Sequence, residues 1–201
     1  MASPPGLPSS KAQFFRLRLG ELEIPDLSQG DFERLTLTRQ LRVIERAAGS
    51  EPVSLIGSSL GGYLASLYAA RHAEVERLVL LAPAFGFARR WAERLGPPHL
   101  EQWKGTGWME VFHYGDNRSR RVSYALVEDA ARYEDYPDFR QPGLIFHGAR
   151  DDVVPVALSE KFAAAHPNVR LEVLDSGHDL LNVLEYMASK IAEFFSAGAS
   201  P

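Results

Sequence analysis

Ser59 lies at the centre of the sequence Gly57-Ser58-Ser59-Leu60-Gly61, which has the spacing G-x-S-x-G. In this pattern the serine sits on a sharp turn between a strand and a helix, and its hydroxyl attacks an acyl carbonyl. Taken alone, a pattern of five residues is weak evidence for a nucleophile. Its context supports it, because the apolar run at residues 52–57 precedes the serine and apolar residues at helical spacing follow it. A phosphate-binding loop is disfavoured, since both the Lys-Ser/Thr ending and the G-x-G-x-x-G spacing are missing.

A serine hydroxyl becomes nucleophilic when a neighbouring base takes its proton, and histidine is the usual base because its pKa lies near neutrality. His178 is the candidate. It follows the predicted strand at residues 169–174 after a short loop, so it lies at the sheet edge where parallel strands end, as Ser59 does. The other five histidines are expected in capping, surface or hydrogen-bonded structural roles: His72, His99, His113, His147 and His166.

An acidic side chain must hold the histidine in one tautomer and stabilise its imidazolium form. Asp151 and Asp152 follow the predicted strand at residues 143–147 after a short turn, so both reach the same edge of the sheet. Only one of them can point at His178, because adjacent side chains diverge. Either choice gives the chain order Ser, Asp, His, which differs from the orders found in other serine-protease folds.

The elements that must position these residues alternate along the chain. Short apolar runs are separated by longer segments with helical spacing, and this alternation predicts a mostly parallel central sheet with helices on both faces. One predicted helix covers residues 32–48, with Asp31 as its N-cap and Gly49 as its stop. The strands predicted at 52–57 and 76–82 are apolar on both faces, so we expect them in the middle of the sheet. The five predicted strands are residues 21–27, 52–57, 76–82, 143–147 and 169–174.

Residues from about 85 to 140 interrupt this alternation. The segment carries all three tryptophans and shows no clear buried strand, so we interpret it as an inserted, mostly helical cap within a single domain of residues 1–201. Trp91, Trp108 and Phe112 are the candidate substrate-binding residues of this cap. A connecting helix pair that only packs is an equally good interpretation, because aromatic residues are good core material.

Composition excludes several classes of function. The chain has 22 Lys and Arg against 26 Asp and Glu, a net charge of −4, which disfavours nucleic acid as a partner. It has no cysteine, so disulfides, thiolate metal sites and a cysteine nucleophile are excluded. The sequence shows no apolar run long enough to span a membrane and no secretory signal, so we expect a cytoplasmic protein. Scattered histidines argue against a metal site, and no cofactor is expected.

The residues quoted so far resemble those of the α/β-hydrolase superfamily, and in particular of small bacterial serine esterases of the YqiA type. The likeness extends over nearly the whole chain and includes Gly57-Ser58-Ser59-Leu60-Gly61-Gly62-Tyr63 and Ser176-Gly177-His178. His147-Gly148 followed by Asp151 and Val154-Pro155 is similar to the acid loop of the superfamily, which favours Asp151 over Asp152. The resemblance implies hydrolysis of a small-molecule ester or acyl thioester through an acyl-serine intermediate, without a cofactor.

One feature of that family is missing from this sequence. Its members begin with a strand that ends in a His-Gly-Phe-like loop, and this loop supplies one of two backbone N–H groups that bind the tetrahedral oxyanion. The other N–H comes from the residue after the nucleophile, here Leu60. Loss of one donor costs about 10²- to 10³-fold in turnover. The sequence leaves three alternatives open. Either residues 1–3 supply a substitute donor, or the chain is a truncated form, or its activity is low.

The sequence therefore supports a serine hydrolase that acts on esters or acyl thioesters of short to medium chain length. Ser59 is the nucleophile, His178 the base, Asp151 the acid and Leu60 N–H an oxyanion donor. The alternative is a catalytically weak or silent module of the same fold that binds a small apolar ligand or a protein. A third possibility is an enzyme of this fold with another reaction, such as a perhydrolase, which uses the same three residues.

Overall fold

The computed structural model describes residues 10–20, 22–113 and 118–197. Contacts among these residues divide the chain into two compact units: the first includes residues 10–13, 23–47 and 86–135, and the second includes residues 14–22, 48–85 and 136–197. In chain order the elements are α1 (Ser10–Leu19), α2 (Leu37–Ala48), β1 (Val53–Ser58), α3 (Leu60–Ala69), β2 (Val75–Leu81), α4 (Phe87–Thr106), β3 (Trp108–His113), β4 (Arg118–Ser123), α5 (Ala125–Ala130), β5 (Gly143–Gly148), α6 (Ala157–Ala165), β6 (Val169–Leu174) and α7 (Leu184–Ser196).

The second unit is built on a four-stranded parallel sheet in the order β1-β2-β5-β6. β2 and β5 form its centre, and their apolar side chains are buried, with Leu78, Leu144 and Phe146 at 0% exposure. Apolar residues of α1 and α7 pack against one part of this core, including Phe15, Met187 and Ile191. A parallel sheet with helices packed against it is the fold class that the sequence predicts.

β1 differs from the expected position. Within the described residues it pairs with β2 alone, so it lies at the edge of the sheet rather than in its middle. Its apolar side chains Leu55 and Ile56 are accordingly half-buried. Apolarity on both faces correctly predicted a strand here, but it could not tell how many strand neighbours the strand has.

The strand predicted at residues 21–27 is wrong at residues 22–27, and residue 21 falls outside the described residues. Residues 22–26 have no regular secondary structure, and a turn follows at residues 27–30. In this turn the Asp26 carboxylate accepts hydrogen bonds from the backbone N–H groups of Ser28 (2.9 Å) and Gly30 (3.0 Å). An aspartate side chain that satisfies its neighbours' N–H groups competes with strand pairing, which explains the difference.

The helix predicted at residues 32–48 is broken into two. A single 3₁₀ turn covers Phe32–Arg34, with Asp31 accepting from the Arg34 N–H (3.3 Å). α2 then starts at Leu37, where the Thr36 hydroxyl accepts from the Arg39 N–H (3.1 Å) and so caps the new helix. The predicted stop is correct, because Gly49 has a φ of +64°.

The first unit contains an antiparallel hairpin that the sequence did not reveal. β3 pairs with β4 between the helices α4 and α5. The buried Trp103 of α4 donates its indole N–H to the Val122 carbonyl of β4 (3.1 Å), which ties the helix to the hairpin. α4 is kinked at Gly96, which has φ +69° and precedes Pro97 and Pro98. Among the described residues, none of the helices combines the length and apolarity needed to cross a membrane.

Candidate active site

Ser59 occupies a strained backbone conformation between β1 and α3. Its φ is +53° and its ψ −120°, values that a residue with a side chain adopts only when the surrounding structure enforces them. The Ser59 N–H donates to the Leu81 carbonyl (2.8 Å), and the Ser59 carbonyl accepts from Gly62 (3.0 Å) and Ala84 (3.0 Å). These backbone hydrogen bonds hold the turn, so the hydroxyl has a defined position at the end of the sheet.

Two glycines make this turn sterically possible. A Cβ atom at Gly57 would lie 2.4 Å from the Gly61 carbonyl oxygen, and one at Gly62 would lie 3.2 Å from the Pro83 Cβ. By contrast, a Cβ atom at Gly61 would meet no atom outside its own helix within 4 Å. The tight turn therefore depends on Gly57 and Gly62, and the second glycine of the G-x-S-x-G pattern does not relieve a collision.

The loops that follow β5 and β6 are packed directly against each other. A Cβ atom at Gly148 would lie 2.4 Å from the Gly177 carbonyl oxygen and 2.5 Å from that of Ser176. The Arg150 N–H also donates to the Ser176 carbonyl (2.9 Å). Because the Gly148 position has no side chain, the loop carrying Asp151 and the loop carrying the histidine can meet.

The carboxylate of Asp151 is fully buried. Its Oδ1 accepts hydrogen bonds from the backbone N–H groups of Val153 (2.9 Å) and Val154 (2.8 Å), which leaves Oδ2 directed at the His178 ring. Oδ2 lies 2.7 Å from the His178 Nδ1. Asp152 is exposed. Of the two adjacent carboxylates, the structure therefore brings Asp151 to the histidine.

His178 connects Asp151 to Ser59. Its Nε2 lies 3.1 Å from the Ser59 Oγ, and its side chain is 24% exposed. An ionised carboxylate can only accept, so Nδ1 carries the proton and Nε2 has a free lone pair toward the serine. The loop is anchored just beyond the histidine, because Leu180 is fully buried in the core with φ +56°. The arrangement allows the serine proton to pass to the imidazole.

The other predicted site residues are Leu60 and three aromatic residues. Leu60 is the first residue of α3, where backbone N–H groups have no acceptor within the helix. Trp91 packs against Phe87 and Trp103 in the first unit, at ring separations of 5.4 and 5.3 Å. The Trp108 ring lies in the same unit beside the guanidinium groups of Arg34 and Arg121, at 5.8 and 5.2 Å from the ring centre. The side chain of Phe112 and residues 1–9, which include the residues considered as a substitute oxyanion donor, fall outside the described residues.

His147 makes a second contact that the sequence did not reveal. It is fully buried at the end of β5, with Nδ1 2.8 Å from the Ser159 Oγ and Nε2 2.8 Å from the Val154 carbonyl, which fits the expected structural role. However, Nε2 also lies 3.2 Å from the Oδ2 of Asp151. Burial lowers the pKa of His147, so its ring is neutral at neutral pH. The sequence does place His147 four residues before Asp151, but this spacing alone could not show that the two side chains are in contact.

The described residues contain no grouping of three histidine or acidic side chains that could bind a metal ion. The chemistry available at the described site is that of a hydroxyl, an imidazole and a carboxylate.

Comparison with known proteins identifies the family and the fold. A family model described as uncharacterised protein family UPF0227 matches residues 8–196. No curated protein matches the sequence significantly. Among solved structures, Est1E from Butyrivibrio proteoclasticus is 21% identical, with a TM-score of 0.74 over 97% of this chain and 84% of that one.

Two further structures agree. Mouse alpha/beta hydrolase domain-containing protein 10 is 18% identical, with a TM-score of 0.72 over 96% of this chain and 85% of that one. MGS-MChE2, an alpha/beta hydrolase from a lagoon-sediment metagenome of Mar Chica, Morocco, is 21% identical, with a TM-score of 0.58 over 87% and 76%. These similarities confirm the α/β-hydrolase fold.

Proposed function

The chain belongs to the uncharacterised protein family UPF0227 and has an α/β-hydrolase fold, and on this basis we propose that it is a serine hydrolase of carboxylic esters or acyl thioesters. The observation that carries the proposal is the continuous hydrogen-bonded connection from the Ser59 Oγ through both ring nitrogens of His178 to the buried Asp151 carboxylate. Hydroxyl, imidazole and carboxylate in this order activate serine nucleophiles in several unrelated folds.

The first half-reaction acylates the serine. As the Ser59 Oγ attacks the substrate carbonyl carbon, its proton passes to the His178 Nε2, and the imidazolium is stabilised by Asp151. The carbonyl oxygen becomes an oxyanion in the tetrahedral intermediate. When this intermediate collapses, the bond to the leaving alkoxide or thiolate breaks, and His178 returns the proton to that group.

The oxyanion needs hydrogen-bond donors near the nucleophile. The Leu60 N–H is our candidate, because it directly follows Ser59 at the start of α3. The positive end of the helix dipole adds to the stabilisation of negative charge at this point.

The second half-reaction releases the acyl group. A water molecule gives a proton to His178 and attacks the acyl-Ser59 carbonyl, and the free acid leaves as the proton returns to the Ser59 Oγ. No cofactor takes part in this proposed cycle. The aromatic, overall neutral segment at residues 85–140 suggests acyl groups of short to medium length rather than charged substrates.

Labelling with a fluorophosphonate probe tests the nucleophile. We expect the wild-type protein and a Ser58→Ala variant to be labelled and a Ser59→Ala variant to remain unlabelled. Labelling that survives Ser59→Ala, or its absence from the wild type, would contradict the proposal. An unlabelled wild-type protein would favour the alternative, a catalytically silent module of the same fold.

Hydrolysis of p-nitrophenyl esters of increasing chain length tests the substrate class. We expect butyrate or a similar short ester to be preferred, with the activity lost in Ser59→Ala. A feruloyl ester belongs in the panel, because ferulic acid has been observed bound to Est1E. A preference for charged phosphoesters would contradict the assignment.

A further inference from the structure

His147 is a buried imidazole in contact with the proposed acid that the mechanism above leaves unused. We propose that His147 is a positioning residue: its Nε2–H, shared between the Val154 carbonyl and Asp151 Oδ2, fixes the carboxylate toward His178, while Ser159 fixes the tautomer of the His147 ring. This inference rests on the proposed serine hydrolase function and adds to it one residue that does not touch the substrate.

The partners of His147 determine its tautomer. Nε2 lies 2.8 Å from the Val154 carbonyl oxygen and 3.2 Å from the Asp151 Oδ2, and both of these oxygens are acceptors only. Nε2 must therefore carry a proton. Nδ1 of the neutral ring is then an acceptor, and the Ser159 hydroxyl at 2.8 Å is its donor. Ser159 is itself fully buried on α6, so this hydrogen bond is shielded from water.

The hydrogen bonds and contacts around Asp151 link it to both Val154 and His147, which are also linked to each other. Oδ1 accepts from two backbone N–H groups, one of them that of Val154. Oδ2 accepts from His178 at 2.7 Å and has His147 Nε2 at 3.2 Å. Val154 thus donates to Asp151 through its N–H and accepts from His147 through its carbonyl. Because His147 contacts both groups, it couples the orientation of the carboxylate to the backbone of the acid loop.

A neutral His147 suits the charge change of the reaction. When His178 takes the Ser59 proton, the negative charge of Asp151 must stabilise the new imidazolium. A charged His147 would compete for the same oxygen, and burial prevents this by lowering its pKa. A neutral donor instead holds the carboxylate in place without adding a positive charge, so the negative charge of Asp151 remains available to the His178 imidazolium.

The other charged groups on the surrounding loops and on α6 are exposed to solvent, so their effect on this buried set is screened. They remain in place in every variant described below. They are Arg150, Asp152, Glu160, Lys161, Asp175 and Asp179.

Substitutions of His147 test the proposal kinetically. His147→Met removes the donor at similar volume, whereas His147→Gln keeps an N–H near the Nε2 position. With p-nitrophenyl butyrate we expect His147→Met to lower kcat about tenfold at unchanged KM. We also expect the acid limb of its kcat/KM profile to move downward by about half a pH unit, because a carboxylate that is no longer fixed toward His178 stabilises its imidazolium form less. His147→Gln should restore kcat to within about threefold of the wild type.

A merely structural His147 gives a different result. The acid limb would then stay in place, the loss of kcat would follow the loss of folded protein in thermal unfolding, and His147→Gln would restore nothing. That combination overturns the proposal. If Ser59→Ala retains activity, the serine hydrolase function itself fails. If Ser59→Ala is inactive and the acid limb of His147→Met is unmoved, only the role of His147 fails.

NMR of the resting protein provides a readout independent of turnover. In ¹⁵N-labelled wild type we expect the His147 signals of a neutral ring protonated at Nε2. We expect the His178 Nδ1–H resonance to shift in His147→Met and to stay near its wild-type position in His147→Gln. A His147 ring protonated at Nδ1, or a His178 resonance equally unchanged in both variants, would overturn the proposal.

Discussion

The turn that carries Ser59 and the two loops that carry Asp151 and His178 hold their side chains in place differently. At the turn, the backbone of a single residue is strained, with φ +53°, and hydrogen bonds to Leu81 and Ala84 keep it there. At the loops, the contact between Gly148 and Gly177 brings together segments that are remote in sequence. The nucleophile is therefore positioned locally, whereas the acid–base pair depends on two loops remaining docked.

Removal of the Asp151 charge should have the largest effect. Asp151→Asn preserves shape, but its amide can donate to the His178 Nδ1, which leaves the proton on the wrong ring nitrogen. We expect kcat to fall about 10⁴-fold with the fold intact, as is general for this change in serine triads. Kinetics with p-nitrophenyl butyrate measure the fall in kcat, and far-UV circular dichroism checks that the fold is intact.

The adjacent carboxylate provides the matched control for that experiment. Asp152 is exposed, and Asp152→Asn should retain the activity of the wild type within about twofold. Equal losses in the two variants would contradict the assignment of Asp151 as the acid.

A change that separates the loops carrying Asp151 and His178 should have the second-largest effect. In Gly148→Ala the new Cβ meets two backbone oxygens, at 2.4 and 2.5 Å, which cannot move without displacing the histidine loop. We expect a loss of about 1–3 kcal/mol in the free energy of unfolding and a fall in kcat of about 10²-fold. Urea unfolding and kinetics check both values.

Gly177→Ala is the control on the opposite loop, because a Cβ atom there meets nothing within 4 Å. It should remain close to the wild type in both measurements. If Gly148→Ala is tolerated as well as Gly177→Ala, the docking of the loops does not position the acid–base pair.

The fold was predictable where residue type alone decides burial. β2 and β5 are apolar throughout and lie at the sheet centre, so an apolar run was sufficient to find them. The β3–β4 hairpin was not predictable in this way. Its second strand, Arg118–Ser123, is rich in arginine, and the hydrogen bond that ties it to α4 joins Trp103 to Val122, nineteen residues away.

The candidate site was also predictable only in part. The motif around Ser59 and the loop positions of Asp151 and His178 identified residues that the structure brings within hydrogen-bond distance. The proximity of His147 to the same carboxylate could not be predicted, because it depends on a distance of 3.2 Å set by how the acid loop folds back on β5. The positions of Trp91, Trp108 and Phe112 relative to a substrate stay predictions.

The pH dependence of stability should distinguish the loops from the turn, which has no titratable side chain. Burial lowers the pKa of His147 below its ordinary value of 6.5, so between the two values the unfolded chain binds more protons than the native protein. The contribution of His147 is then fully present above pH 6.5 and is lost as the pH falls toward its native pKa, with a slope of at most about 1.4 kcal/mol per pH unit.

Urea unfolding at pH 7, 6 and 5 measures this dependence. His147→Gln does not titrate, so the variant should lose less stability than the wild type over this range, although it starts from a lower value at pH 7. Parallel curves for the two proteins would show that His147 takes up no proton on unfolding.

The smallest effect is expected at the turn itself, at the second glycine of the sequence pattern. A Cβ at Gly61 has no neighbour outside its own helix within 4 Å, and the position belongs to α3, where alanine is favoured over glycine by up to about 1 kcal/mol. Gly61→Ala should therefore raise the melting temperature by about 2–4 °C, whereas Gly57→Ala, whose Cβ would lie 2.4 Å from a backbone oxygen, should lower it. Thermal unfolding of the two variants decides the point. A destabilised Gly61→Ala would mean that the turn requires both glycines of the pattern, and the strain at Ser59 would then extend into the first turn of the helix.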